Sequence, residues 1–263
     1  MINLEKISGL PIDVLDDYYL KFNPPLHQIE PSIRKFSDMT PVLQDKSAKV
    51  DREEMYYMYR DIHLPDDTKV IRDNNIRYDI TVIPSVMIGK EFNKTVGHYH
   101  PNNSQGYAYP EIYEVLNGEA MFFIQKMDEK FEKLLSVSAI RAHAGEKIIY
   151  PPYYGHIMVN VGKDVLVTAN WVSDNFDSEY KPVSERGGMA FYVVADENQG
   201  FKFEANPNYS SHPEVRMIST DFMKSFAIMG SRPMYSAGVE QPELLAFLNF
   251  PEKFAVELSA ITS

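Results

Sequence analysis

Gly97-His98-Tyr99-His100 is the stretch on which the reading of this chain turns, followed downstream by Glu111 and then by His156. Side chains alternate along an extended segment, so an HxH pair on a strand presents both imidazoles on one face. Glu111 opens the apolar run Glu111-Ile112-Tyr113-Glu114-Val115-Leu116, which ends in Asn117-Gly118. That pattern predicts a strand entering a tight turn and bringing a carboxylate alongside the pair. His156 follows Tyr150-Pro151-Pro152-Tyr153-Tyr154-Gly155 and precedes Ile157-Met158-Val159, which sets it near the start of a third strand. Three imidazoles and one carboxylate form a mixed nitrogen and oxygen set that suits Fe, Mn, Ni, Co or Zn and leaves room for a substrate in an octahedral shell.

Outward from this set, short apolar stretches recur at 111–116, 119–126, 133–139, 146–150, 156–161, 164–172, 189–195 and 201–205, with turn residues between them. No helical period intervenes, which predicts an all-β antiparallel barrel or jelly roll. Upstream, Ile76–Met87 reads as a long strand broken at Pro84, and the tyrosines of 54–63 tilt that segment toward strand as well. Residues 1–50 alternate apolar clusters with Pro24-Pro25 and read as an arm that wraps on the barrel of 51–210. The tail, 211–263, is expected to be a helical extension, because Phe222, Phe226 and Met229, then Leu244, Leu245 and Leu248, follow an i, i+3, i+4 spacing interrupted at Pro251. Such a tail can pack over the barrel, complete a dimer or contribute to a pocket rim.

Composition sets the outer limits. A formal charge of −11 argues against a nucleic-acid backbone or an anionic membrane surface as partner. The absence of Cys excludes disulfides and thiolate ligands. With no cationic, apolar leader and no apolar run of spanning length, the chain is expected to be soluble and cytoplasmic.

The histidine and glutamate spacing fits a two-motif cupin: His98-x-His100-x(10)-Glu111-x(6)-Gly118, then Gly145-x(5)-Pro151-x(4)-His156-x(3)-Asn160. His27, His63, His143 and His212 stand apart from the pattern and are read as surface or loop residues. Thr81, Thr95 and Gly97 supply hydroxyls and a backbone N–H near the expected metal strand, groups that can hold phosphate without a strong positive charge. Lys90 and Lys94 lie close by and are expected to be solvated.

Three stretches together, Gly89–His100, Pro110–Glu119 and Tyr150–Asn160, resemble the cupin-type (archaeal-type) glucose-6-phosphate isomerases, and Ile33-Arg34-Lys35-Phe36-Ser37-Asp38-Met39 resembles that family's N-terminal arm. The likeness runs from about 33 to 205. It implies a cupin double-stranded β-helix, a homodimer, and interconversion of glucose 6-phosphate and fructose 6-phosphate in glycolysis or gluconeogenesis. It also implies one divalent metal per subunit, Fe(II) first and Mn(II), Ni(II), Co(II) or Zn(II) after it. By position, His98, His100, Glu111 and His156 match metal ligands, and Thr81, Thr95 and Gly97 match phosphate contacts. Tyr56, Tyr153 and Tyr180 are expected as further substrate contacts, and Glu111 and Tyr113 as the catalytic pair. The family's later pocket histidine falls near Ser178 in this chain, and the insert between His100 and Glu111 is longer than usual. Two other readings share the ligand set: a non-haem iron cupin dioxygenase and a non-catalytic sugar-phosphate-binding cupin.

Overall fold

A computed structural model describes residues 1–198 and 200–262; the side chain of Phe222, part of the expected tail pattern, lies outside the description. The chain opens with a small sheet, β1 (Ile2–Asn3), β2 (Ile12–Val14) and β3 (Leu20–Phe22). It continues through β4 (Ser32–Lys35), β5 (Glu54–Tyr59) and β6 (Ile76–Ile83), and the short pair β7 (Met87–Ile88) and β8 (Glu91–Phe92). The central run is β9 (Glu111–Asn117), β10 (Glu119–Met127), β11 (Leu134–His143), β12 (Lys147–Tyr150), β13 (Tyr154–Asn160) and β14 (Leu166–Ser173). After it come β15 (Phe191–Asp196), β16 (Gly200–Ala205) and the two-residue β17 (Arg216–Met217).

Two of the sheets form a cupin barrel. The larger runs in the order β12-β9-β14-β6-β5-β4 and the smaller in the order β13-β10-β11-β17. From β9 to β14 the chain crosses between them at every step but β10 to β11, and the corner from β9 to β10 shows how. Gly118 sits at φ +83°, and a Cβ there would lie 2.8 Å from the Val165 carbonyl oxygen, so the tight turn needs a glycine. The turn does not fold β9 onto β10; it passes the chain from one sheet to the other.

Both faces of each sheet are covered, which is why the strands read as continuous apolar runs. Between the sheets, Phe122 packs against Tyr113 and Tyr150 at 5.8 Å each. Outside the smaller sheet, Phe123 meets Phe191 and Phe203 of the β15–β16 pair. Outside the larger sheet, Trp171 stacks at 5.8 Å on Tyr235 from the tail, and its Nε1 donates to the Met234 carbonyl at 3.1 Å. Each such side chain contributes about 1.5–3 kcal/mol by leaving water.

The tail is helical, as expected, in short pieces: 3₁₀ turns (Thr220–Met223, Ala227–Met229, Pro242–Leu248, Pro251–Phe254) with two α-helical segments, Met234–Glu240 and Ala255–Ala260. Pro233, Pro242 and Pro251 lack the N–H that a continuous helix needs, and contacts with the barrel hold the pieces instead. Lys147 Nζ donates to the Arg232 carbonyl at 2.8 Å, and the Met234 N–H donates to Glu114 Oε2 at 2.9 Å. One expectation needs correction, that of Lys94 in solvent. Lys90 is exposed, but Lys94 is buried at 2% exposure, pairs with Glu91 and donates to the Val42 carbonyl at 2.9 Å. The turn Thr40–Val42 of the N-terminal arm closes over it. No helix among the described residues is long and apolar enough to cross a membrane.

Candidate metal centre and substrate pocket

The segment before His100 runs beside β13 as an added edge of the smaller sheet. His98 and His156 exchange backbone hydrogen bonds of 3.3 and 3.0 Å, so their side chains stand opposite each other, ring centroids 4.4 Å apart. Gly97 permits the approach: it sits at φ +87°, and a Cβ would meet Ile157 Cγ2 at 2.5 Å. Alternation turns Tyr99 the other way, its hydroxyl accepting from Gln125 at 3.0 Å, and brings His100 back beside His98. Glu111 faces this trio from β9 in the larger sheet.

The four ligand atoms lie within 4.8 Å of one another. His98 Nε2 is 3.1 Å from both His100 Nε2 and His156 Nε2, and Glu111 Oε2 is 3.5 Å from the last two. Polar neighbours settle which atoms face inward. His100 Nδ1 donates to the Tyr109 carbonyl at 2.8 Å and His156 Nδ1 to the Tyr154 carbonyl at 3.3 Å, which leaves each Nε2 as a lone pair. Glu111 Oε1 accepts from Asn170 at 2.6 Å, whereas Oε2 is buried with no hydrogen-bond partner.

Burial holds the imidazoles neutral. It lowers His100 to about 4 and His156 to about 3, and takes His98 well below its ordinary value with help from the other two rings. Burial also raises Glu111 to about 7, against the opposing pull of His100. Three buried Nε2 atoms turned toward one point, two of them left as lone pairs by their Nδ1 partners, plus an orphaned carboxylate oxygen, make a donor set that fits a divalent transition metal.

Beside this centre opens a cavity of about 440 Å³. Its floor is a grid set by strand register. Arg77, Val172 and Glu111 form one row across β6, β14 and β9, and Asp79, Asn170 and Tyr113 form the next. Thr81 faces Met58 on β5, and Tyr56 faces Arg34 on β4. Thr81, Thr95, Gly97, Tyr56, Tyr113 and Tyr180 all line the cavity together with the four ligand residues, and so does Ser178. Tyr153 does not. Its backbone is at φ +72°, its ring is 41% exposed, and its hydroxyl donates to the Gly106 carbonyl at 3.0 Å beside a separate cleft with Tyr107 and Lys126. A bulky residue held in the left-handed region by the Tyr150–Gly155 turn points away from the barrel mouth, so the expected substrate contact is withdrawn. His27 and His143 are exposed, as expected of surface residues.

Three wall residues escaped the reading of the sequence. Arg34 carries a buried Nε with no hydrogen-bond partner, and its guanidinium lies 5.6 Å from the Tyr180 ring centroid. Arg60 reaches only to 4.0 Å from Asp79, which is already held by Arg77 at 2.9 Å. Asn170 is the partner that orients Glu111. The basic residue inside Ile33-Arg34-Lys35 was the available signal for the first; nothing local marked the other two.

Known proteins resemble this chain as follows. It matches the glucose-6-phosphate isomerase family (GPI) over residues 33–210. It is 28% identical over 182 residues to a glucose-6-phosphate isomerase of Thermococcus gammatolerans, spanning 68% of this chain and 87% of that one. It is 24% identical over 181 residues to that of Pyrococcus abyssi, 68% of this chain and 88% of that one. Among solved structures, an oxalate decarboxylase of Lactobacillus farciminis is similar at a TM-score of 0.34 and 18% identity, over 50% of this chain and 32% of that chain.

Proposed function

Since the chain belongs to the glucose-6-phosphate isomerase family, and through it to the aldose–ketose isomerases, we propose that it interconverts glucose 6-phosphate and fructose 6-phosphate at a divalent metal held by His98, His100, Glu111 and His156. One observation supports the metal dependence: the Nε2 lone pairs of His100 and His156 and the orphaned Glu111 Oε2 meet in the lining of a cavity that Arg34, Thr81, Thr95 and Gly97 also line. A divalent metal held by these four residues would supply Lewis-acid chemistry to the reacting end of the sugar.

The chain's own residues do the rest. Arg34, Thr81, Thr95 and the Gly97 N–H hold the phosphate, and Tyr56 and Tyr180 close over it. This anchors C1 and C2 toward the imidazole wall. Asn170 fixes Glu111 Oε1, so the carboxylate stands in one orientation beside the reacting carbons. Glu111 carries the proton between C1 and C2, with Tyr113 in the next row of the same floor. Running the reaction in deuterated water tests that role: product without solvent deuterium counts against Glu111 as proton carrier and favours a direct hydride transfer.

Fe(II) is the metal proposed to be bound in the cell, in a cytoplasmic homodimer; metal analysis of protein purified without added metal and light scattering test these. The decisive experiment strips metal and assays fructose 6-phosphate isomerisation after adding back Fe(II), Mn(II), Ni(II), Co(II) or Zn(II) singly. Metal-dependent turnover is the expected result. Metal binding with no turnover at any loading overturns the proposal, and oxygen uptake in its place favours the dioxygenase reading.

A further inference from the structure

The tail beyond residue 210 lies outside the matched family segment, and none of its described residues lines the cavity. Two of its side chains nevertheless reach the loops that make that wall. Asn249 follows the turn Pro242–Leu248, whose Leu245, Phe247 and Leu248 are buried and hold it in place. Its Oδ1 accepts from Ser173 Oγ at 2.6 Å and from Asn175 Nδ2 at 2.8 Å. Its Nδ2 donates to the carbonyls of Asn74 at 2.8 Å and Asn75 at 3.3 Å. One amide thus ties the exit of β14 to the turn that precedes β6, and the Asp174 N–H donates to the same Asn75 carbonyl at 2.9 Å.

Glu252 makes the second link. Its Oε2 accepts from Asn103 Nδ2 at 3.1 Å, and Asn103 Oδ1 in turn receives the N–H groups of Gln105 and Tyr107. Asn103 therefore organises the long insert between His100 and Glu111. That insert carries Tyr109, whose carbonyl orients His100. The two loops meet where Phe176 stacks on Tyr109 at 4.7 Å and lies 4.5 Å from the His100 ring.

Resting on the isomerase reading above, we propose that Asn249 and Glu252 are positioning residues for the reaction: they pin segments 173–180 and 101–110 so that Phe176, Ser178, Tyr180 and the Tyr109 carbonyl stand where the substrate and His100 need them. Neither touches the cavity. The tail is in this sense a working part of the pocket, placed behind its wall.

The test compares full-length Asn249→Ala and Glu252→Ala with wild type, with Glu252→Gln as the conservative variant that keeps an acceptor for Asn103. Glu240→Gln, on the tail's exposed ion pair with Arg232, controls for general disturbance of the tail. In metal-free protein, amide hydrogen exchange of 173–180 is expected to accelerate about 10-fold in Asn249→Ala, and that of 101–110 in Glu252→Ala, while β10 and β13 stay unchanged. In metal-loaded enzyme, KM for fructose 6-phosphate is expected to rise about 5- to 10-fold in Asn249→Ala with kcat moving less than about twofold. A smaller KM rise is expected in Glu252→Ala and near recovery in Glu252→Gln. Unchanged exchange in both loops overturns the proposal, and so does loosened exchange with KM unmoved. If wild type isomerises nothing with any metal, the function proposed above falls by itself, and the exchange data still decide whether these anchors hold the loops.

Discussion

In the lining of the pocket, three imidazoles and a carboxylate arrive from three short stretches, each of which carries its own instruction, whereas Arg34, Tyr56, Thr81, Thr95, Gly97 and Tyr180 arrive from segments spread from residue 34 to residue 180. The imidazole group depends on alternation along a strand and one close backbone pairing, His98 with His156. The proposed anion group depends on the side-by-side order of β4, β5 and β6 and on a loop that returns over them. The candidate ligand group is therefore written locally and is expected to tolerate little change, whereas the proposed anion group is a shared product of register and is expected to divide its duty among several residues.

Substitutions test that contrast. Glu111→Gln or His156→Ala is expected to lower metal affinity by more than about 100-fold, beyond the loss from removing an outer partner, and isomerisation with it. Calorimetric metal titration beside the isomerase assay measures both, and a variant that keeps metal and rate would break the comparison at its stronger end. Asn170→Ala removes only the bond that orients Glu111, and a loss of about 10- to 100-fold in metal affinity is expected. Arg34→Ala acts on the other group: KM for fructose 6-phosphate is expected to rise about 10-fold or more with kcat less affected, inorganic phosphate is expected to inhibit more weakly, and Arg34→Lys to recover part of the loss. An Arg34→Ala enzyme with unchanged KM would leave the hydroxyl and backbone groups to hold the phosphate alone. Tyr153→Phe, outside the cavity, is expected to leave both constants within about twofold.

The same contrast explains what could be read without coordinates. Strands expected at 111–116, 119–126 and 164–172 stand at Glu111–Asn117, Glu119–Met127 and Leu166–Ser173, because apolar runs bounded by turn residues are local signals. Lys94 was misplaced because the turn that buries it comes from residues 40–42, far back in the chain. The tail's apolar spacing marks helical pieces buried against Trp171 and its neighbours, and Pro233, Pro242 and Pro251 set where those pieces break.

The sequence by itself singled out His98, His100, Glu111 and His156 as candidate ligands, the all-β barrel and the glycines at its sharp corners, since period-2 alternation and turn chemistry act over a few residues. Only the tertiary structure decided that Arg34 joins Thr81, Thr95 and Gly97, that Asn170 orients Glu111, that Tyr153 faces away, and that Asn249 and Glu252 stand behind the pocket wall. Those placements follow from which strands lie side by side and in what register. That choice is made by burying the two sheet faces against each other and against the arm and tail, and no local pattern records it.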